Sequence, residues 1–237
     1  MHELLGEFFG TMILILLGNG VVAGVLLGKS KAEDAGWLAI TAGWAFAVLA
    51  GILTARGIGA PGFINPVGPF VALLNNSLTV ERAVLFALVE LAGAFTGAVL
   101  VWLHYLPHWT ETPDVDAKRS VFCTSPAIRN LPANLLSEAI ATFVLVFVGT
   151  WIVEKELGRG LIAPMGGILV WSIGLSLGAT TGYAINPARD LGPRLAHALL
   201  PISGKGHSDW GYAIVPIVGP LIGGAVAALL VKSIAPT

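Results

Sequence analysis

Two Asn-Pro pairs carry the chemistry this chain can offer: Asn65-Pro66-Val67 in "GAPGFINPVGPFVALLNN" and Asn186-Pro187-Ala188 in "TTGYAINPARDLGPRLAHALL". Asparagine is a strong helix cap, and proline suits the first helical position, where its missing N–H costs nothing. Each pair is therefore expected to open a short apolar helix, over 65–76 and 186–200, too short to cross a bilayer. A helix start carries roughly half a positive charge, and an Asn amide has two N–H donors beside its acceptor oxygen. Two such tips facing a water path would repel cations, hydronium included. They would also orient a passing water or hydroxyl so that it cannot relay a proton. Unwound backbone ahead of each Asn leaves carbonyls for the permeant, which is tolerated at membrane depth only beside a cavity. Arg189, three residues past the second Asn, adds a fixed positive charge at the waist of such a path. A single Asn-Pro is usually a turn; two at matching places of a repeated sequence are not.

Membrane spans must hold these tips in place. Six apolar stretches approach the roughly 20 residues a crossing helix needs: Leu4–Leu27, Trp37–Ala55, Ala83–Leu106, Leu135–Val153, Leu161–Tyr183 and Tyr212–Val231. The first is too long for a signal-peptide core and has no basic stretch before it, so it reads as a retained span. An even number puts both termini on one side. Arg56, Arg82, Lys155, Arg159 and Lys232 share that side, against Lys29, Lys31, Lys118, Arg119 and Arg129 opposite, so charge does not orient the chain. The expected fold is an all-α membrane protein: six transmembrane helices plus two re-entrant half-helices.

The halves repeat each other. "GEFFGTMILILLG" answers "SEAIATFVLVFVG", aligning Glu7 with Glu138 and Thr11 with Thr142. "ELAGAFTGAVL" answers "PIVGPLIGGAV", aligning Gly93 with Gly219 and Gly97 with Gly223. One domain over 1–237 thus divides into a first repeat of about 1–106, a link over 107–134 and a second repeat of about 135–237. Three spans per repeat make the second enter from the opposite side, an inverted repeat whose half-helices approach the midplane from both faces. Small residues four apart let helices approach closely in lipid.

Composition excludes much else. Hydrophobic residues make up 55% and charged ones 11%, against about 25% charged in a soluble domain, so lipid must solvate much of the surface. A net charge of −1 gives no pull toward nucleic acid. Single Cys123 excludes an internal disulfide and a CxxC site. His104, His108 and His197 lack metal-ligand spacing and are expected at the interface or lumen edge; no Gly-x-Ser-x-Gly elbow and no Gly-rich phosphate loop occurs. No cofactor, metal or catalytic residue is expected. Glu7 and Glu138 sit inside spans, where an unpaired carboxylate costs at least ~2.5 kcal/mol. They are expected to face inward and accept bonds from the broken backbone. Glu90 has no repeat partner and receives no role.

With these motifs in hand, nearly the whole chain, from "GEFFGT" to "VPIVGPLIGGAV", resembles the aquaporin superfamily, and within it the glycerol-facilitator branch, which "NPARD" with Asp190 matches. The resemblance implies a tetramer with one pore per protomer, cytoplasmic termini, residence in the plasma membrane, and passage of glycerol, other small neutral solutes and water. It implies a selectivity filter of Trp44, Gly174, Tyr183 and Arg189. Trp44 and Tyr183 would form an apolar corner, Arg189 would donate to hydroxyls, and Gly174 would leave width for a polyol. Path-lining carbonyls are expected from Pro61, Gly62, Phe63 and Ile64, and from Gly182, Tyr183, Ala184 and Ile185. The chain departs from the family at Val67, where alanine is usual, at Tyr183, usually Phe, and at Phe63, which takes a histidine's place in a segment one residue longer. A mainly water-selective pore is the alternative these departures leave open; a proton-coupled transporter using Glu7 or Glu138 is another.

Overall fold

The computed structural model describes residues 1–151 and 159–234. Ten α-helices and no strand occur among them. Six are long and apolar enough to cross a membrane, two of them together with a flanking 3-10 turn: α1 (His2–Leu26), α2 (Gly36–Ile58), α4 (Val80–His104), α7 (Leu131–Trp151), α8 (Ile162–Leu177, continued to Thr180) and α10 (Ile214–Ile234, preceded by Trp210–Tyr212). The half-helices are α3 (Val67–Leu74) and α9 (Pro187–Leu199), each slightly shorter than its apolar run. Outward side chains such as Leu38, Phe46, Leu53, Ile128 and Leu229 are exposed, as expected where lipid is the solvent.

One expected boundary shifts. The fifth span stops at Leu177 and closes with a 3-10 turn, Gly178–Thr180, so Tyr183 lies beyond the helix in the irregular segment before Asn186. The apolar run continued past the helix because that segment is itself buried. Ile152 and Val153, at the end of the fourth expected span, lie outside the described residues. The link over 107–134 is not plain loop: it holds α5 (His108–Glu111) and α6 (Val115–Phe122). Asp114 starts α6 by accepting the N–H groups of Asp116 and Ala117. Trp109 is buried; it stacks on Phe122 and donates its indole N–H to the Trp102 carbonyl.

Helices α1 and α4 pack together, as do α7 and α10. Gly93 and Gly97 press on the α1 backbone at Phe8 and Met12, and Gly219 and Gly223 press on α7 at Leu135 and Ala139. A methyl group at any of these four would run into those carbonyls, so small residues here set the helix spacing. Helix α3 packs on α4 and α10, and α9 on α4. The two half-helices thus hang from spans that glycine brings close.

Candidate pore

The two irregular segments before the Asn residues are built alike. Gly62 and Gly182 take φ of +83° and +82°, open to glycine at no cost. Ile64 and Ile185, each just before its Asn, take φ of +45° and +43°. For a β-branched residue this costs on the order of 1–3 kcal/mol and persists only where the surroundings over-determine it. They do so on both sides. The N–H of Ile64 donates to Glu7 Oε2 at 2.7 Å, and its carbonyl accepts Asn186 Nδ2 at 2.8 Å. The N–H of Ile185 donates to Glu138 Oε2 at 2.8 Å, and its carbonyl accepts Asn65 Nδ2 at 2.8 Å.

Glu7 also accepts the N–H groups of Gly62 and Phe63, at 2.7 and 3.0 Å. Glu138 accepts the N–H of Ala184 at 2.9 Å and the Thr181 hydroxyl at 2.7 Å. Both carboxylates are buried, and each has three donors, which offsets its desolvation. Asn186 caps α9 through the N–H groups of Ala188 and Arg189, with Pro187 at the first position. Asn65 is less of a cap: α3 starts at Val67, Pro66 occupies the cap position, and Asn65 Oδ1 accepts only the Val67 N–H. Each Asn amide spends one N–H on the opposite segment and keeps one. The sequence suggested both would face the path, because a tie between segments 120 residues apart leaves no mark on local spacing.

A cavity of about 590 Å³ runs past both segments. Trp44, Tyr183 and Arg189 border one end, and Arg56, Asn75 and Thr150 the other. Pro61 to Asn65 and Gly182 to Asn186 line it on the polar side, while Val48, Ile52, Leu145, Val146, Leu169 and Val170 give an apolar wall. Val67 borders it too, and fits because α10 offers Gly224 opposite; a methyl there would come within 2.6 Å of Val67. Pro66, Pro187, Ala188 and Gly174 do not border the cavity. Pro66 and Pro187 line a separate apolar crevice behind it.

At the Trp44 end, the Arg189 guanidinium lies 4.2 Å from the centre of the Trp44 ring and donates to the Phe122 carbonyl at 3.3 Å. The Trp44 ring is itself seated on Gly18, where any side chain would overlap it. The Tyr183 ring packs edge-on against Trp37 and fills the space beside Gly174, whose β-position lies 2.9 Å from the ring. Gly174 therefore makes room for Tyr183 rather than directly for a permeant. The Tyr183 hydroxyl has no hydrogen-bond partner among the described residues.

Asp190 and Arg194 form a fully buried ion pair at 2.7 Å. Asp190 accepts the Thr124 N–H and hydroxyl, and Arg194 donates to the carbonyls of Thr124, Ser208 and Asp209. This clamps the α5–α6 link and the loop after α9 around the helix that carries Arg189. Thr124, Phe122, Ser208 and Arg194 were not singled out from the sequence; the i, i+4 spacing of Asp190 and Arg194 was the one available signal. His197 is not a lumen-edge residue: it is buried against Phe122 and bonds Ser208. Lys205 donates to three carbonyls at the α9 C-terminus, those of His197, Ala198 and Leu200. No cluster of three metal-ligating side chains occurs among the described residues.

Six spans around a cavity walled by two broken, cross-tied segments define a polytopic membrane protein of the channel class, with an aquaporin-like fold. The chain matches the major intrinsic protein family over residues 1–231 and belongs to it. It is 52% identical to glycerol uptake facilitator protein 3 of Lactiplantibacillus plantarum over 96% of this chain and 95% of that one. It is also 52% identical to a probable glycerol uptake facilitator protein of Thermotoga maritima, over 97% and 98%. The X-ray structure of the aquaglyceroporin from Plasmodium falciparum superimposes with a TM-score of 0.84 at 25% identity, covering 98% of this chain and 96% of that one.

Proposed function

We propose that this protein is a passive channel of the plasma membrane for glycerol and related small uncharged solutes, with water also passing and protons excluded. The single observation that carries this is the meeting of Trp44, Tyr183 and the Arg189 guanidinium at one end of a continuous cavity. Two aromatic faces accept a carbon chain while a fixed cation donates to its hydroxyls, and carbonyls from 61–64 and 182–185 accept from them further along. The names of the two 52%-identical relatives agree. In this reading Trp44, Gly174, Tyr183 and Arg189 select the solute, with Gly174 acting through the Tyr183 ring. Asn65 and Asn186 form the central constriction, and Glu7, Glu138 and Asp190 brace it. The protein is no enzyme, needs no cofactor, assembles as a homotetramer and keeps both termini in the cytoplasm.

Coupled transport fits poorly, because both oxygens of Glu7 and of Glu138 are already engaged by backbone and hydroxyl donors. A mainly water-selective pore is the second reading, favoured by the Tyr183 ring filling the Gly174 side. Stopped-flow light scattering on proteoliposomes separates the two. Glycerol re-swelling well above that of empty vesicles is expected, and Trp44→Phe with Tyr183→Ala should shift the glycerol-to-water ratio. Fast water efflux with no glycerol re-swelling would leave a water pore; glycerol accumulation driven by a proton gradient would make the protein a transporter.

A further inference from the structure

Arg56 stands in the last turn of α2, half-buried, at the mouth of the cavity opposite the Trp44–Tyr183–Arg189 end. Its stem lies across Gly62: a β-carbon on that glycine would meet Arg56 Cγ at 3.0 Å and Cδ at 3.5 Å. The side chain thus runs along the lumen wall. The negative end of α2 favours a cation in its last turn, but that attraction does not depend on the side chain lying over Gly62. No carboxylate answers Arg56 among the described residues. The ion pairs there join Lys29 to Glu111, Arg82 to Glu3, Arg119 to Asp116, Arg129 to Asp209 and Arg194 to Asp190. Its guanidinium makes no hydrogen bond among those residues either.

The topology brings further polar groups to the same mouth. Helices α2, α3, α7 and α10 all end on this side, and Asn75, Ser77 and Thr150 border the cavity together with Arg56. The side chains of Asn75 and Ser77 have no hydrogen-bond partner among the described residues, while the Thr150 hydroxyl is spent on the Val146 carbonyl. Further in, the chemistry changes at once. Ile52, one turn back from Arg56, starts the apolar wall that Leu145, Leu169 and Val170 continue. A neutral polyol can pass along that wall with its hydroxyls on the carbonyls opposite. A small anion cannot, because shedding its water beside an apolar surface is too costly. Yet nothing in the field of the lumen repels an anion, since the half-helix tips and Arg189 are all positive. An anion is therefore drawn to Arg56 and halted there, in the path of the solute.

We infer that Arg56 is an oxyanion site: its guanidinium, with the Asn75 amide and the Ser77 hydroxyl as further donors, holds inorganic phosphate or a small phosphomonoester at this mouth, and the bound anion plugs the lumen. The planar fork of a guanidinium matches two oxygens of a phosphate. The plug rests on the channel reading above; the site does not, so binding is tested first. In detergent, phosphate set against potassium chloride of equal ionic strength should raise the unfolding midpoint of the wild type more than that of Arg56→Gln. The variant is needed because phosphate also stabilises proteins at large by being excluded from their surface. Equal shifts overturn the site whatever the protein conducts. In proteoliposomes with phosphate on both sides, about 50 mM should lower glycerol flux at least about twofold relative to chloride, as a site of millimolar affinity requires. Arg56→Gln, referred to its own flux in chloride, should lose that block. If glycerol does not pass, water efflux gives the same comparison. Wild-type flux indifferent to phosphate, or an equal block in Arg56→Gln, refutes the inference. Should Arg56→Gln not fold, Arg56→Lys serves in its place: it keeps the charge without the fork, so its block must be weaker, and an undiminished block is a refutation.

Discussion

The two half-helices meet the same requirement with different means. Helix α3 has eight residues, no charge and an Asn that captures one helical N–H; only Val67 and Pro69 are buried. Helix α9 has thirteen residues, and nine of them are buried, including Arg189, Asp190, Arg194 and His197. Its start is capped twice by Asn186, its middle is locked by the Asp190–Arg194 pair, and its end is collared by Lys205. The difference follows from load. Arg189 is a buried cation that must be held at one spot beside Trp44, and a fixed charge needs a rigid, fully satisfied mounting. Nothing on α3 needs such a mounting, so shape alone suffices there.

The largest test of this contrast is Asp190→Ala. It strands Arg194 without its carboxylate, and breaking a buried pair from one side costs about 3–5 kcal/mol. Folded yield in detergent, measured by fluorescence-detected gel filtration, should collapse, while Val71→Ala on α3 should leave it close to normal. Equal losses would erase the distinction between a charged and an apolar half-helix. A step lower in effect, Glu7→Gln should harm the protein more than Glu138→Gln. Glu7 serves three fixed backbone N–H groups, and each one orphaned costs about 1–3 kcal/mol; Glu138 serves two, plus a Thr181 hydroxyl that can rotate to another partner. Thermal unfolding midpoints of the two variants give the order.

Lys205→Met removes the collar from the α9 C-terminus, worth about 1 kcal/mol at a helix end. A modest fall in unfolding temperature is expected with the glycerol-to-water ratio unchanged, because the filter lies at the other end of α9. The smallest effect concerns the loop after α9. Burial alone would raise the Asp209 carboxyl, but the hydrogen bond and charge of Arg129 outweigh it and hold it below the usual range. A lowered carboxylate contributes stability at neutral pH that is lost as pH falls through its folded value. With Arg129 half-exposed the contribution stays under about 1 kcal/mol, and Asp209→Asn should flatten that acid-side decline in unfolding temperature.

What could be read from the sequence was whatever repeats locally. Apolar runs gave the six spans within a few residues, and Asn-Pro gave both half-helix starts. The cost of a carboxylate in lipid was enough to turn Glu7 and Glu138 inward. Contacts between distant segments were out of reach. The crossed Asn–Ile bonds join residues 120 and 122 apart, and the Thr124–Asp190 bonds join residues 66 apart. The positive φ of Ile64 and Ile185 runs against what isoleucine prefers, so propensity pointed away from it. Polar composition hid α5 and α6, whose buried Trp109 and Phe122 form a small core under the link. Gly174 was assigned to width, yet a Tyr183 ring occupies that width, which needs the distance between two side chains and not their spacing.

The reciprocal Asn65–Ile185 and Asn186–Ile64 bonds act as a pair of rivets through the middle of the molecule. Widening the lumen there would shear both at once and release two contorted isoleucines, so a change of bore at the centre costs both bonds together. Side chains at the mouths stand outside that seam, so their movement leaves both bonds in place.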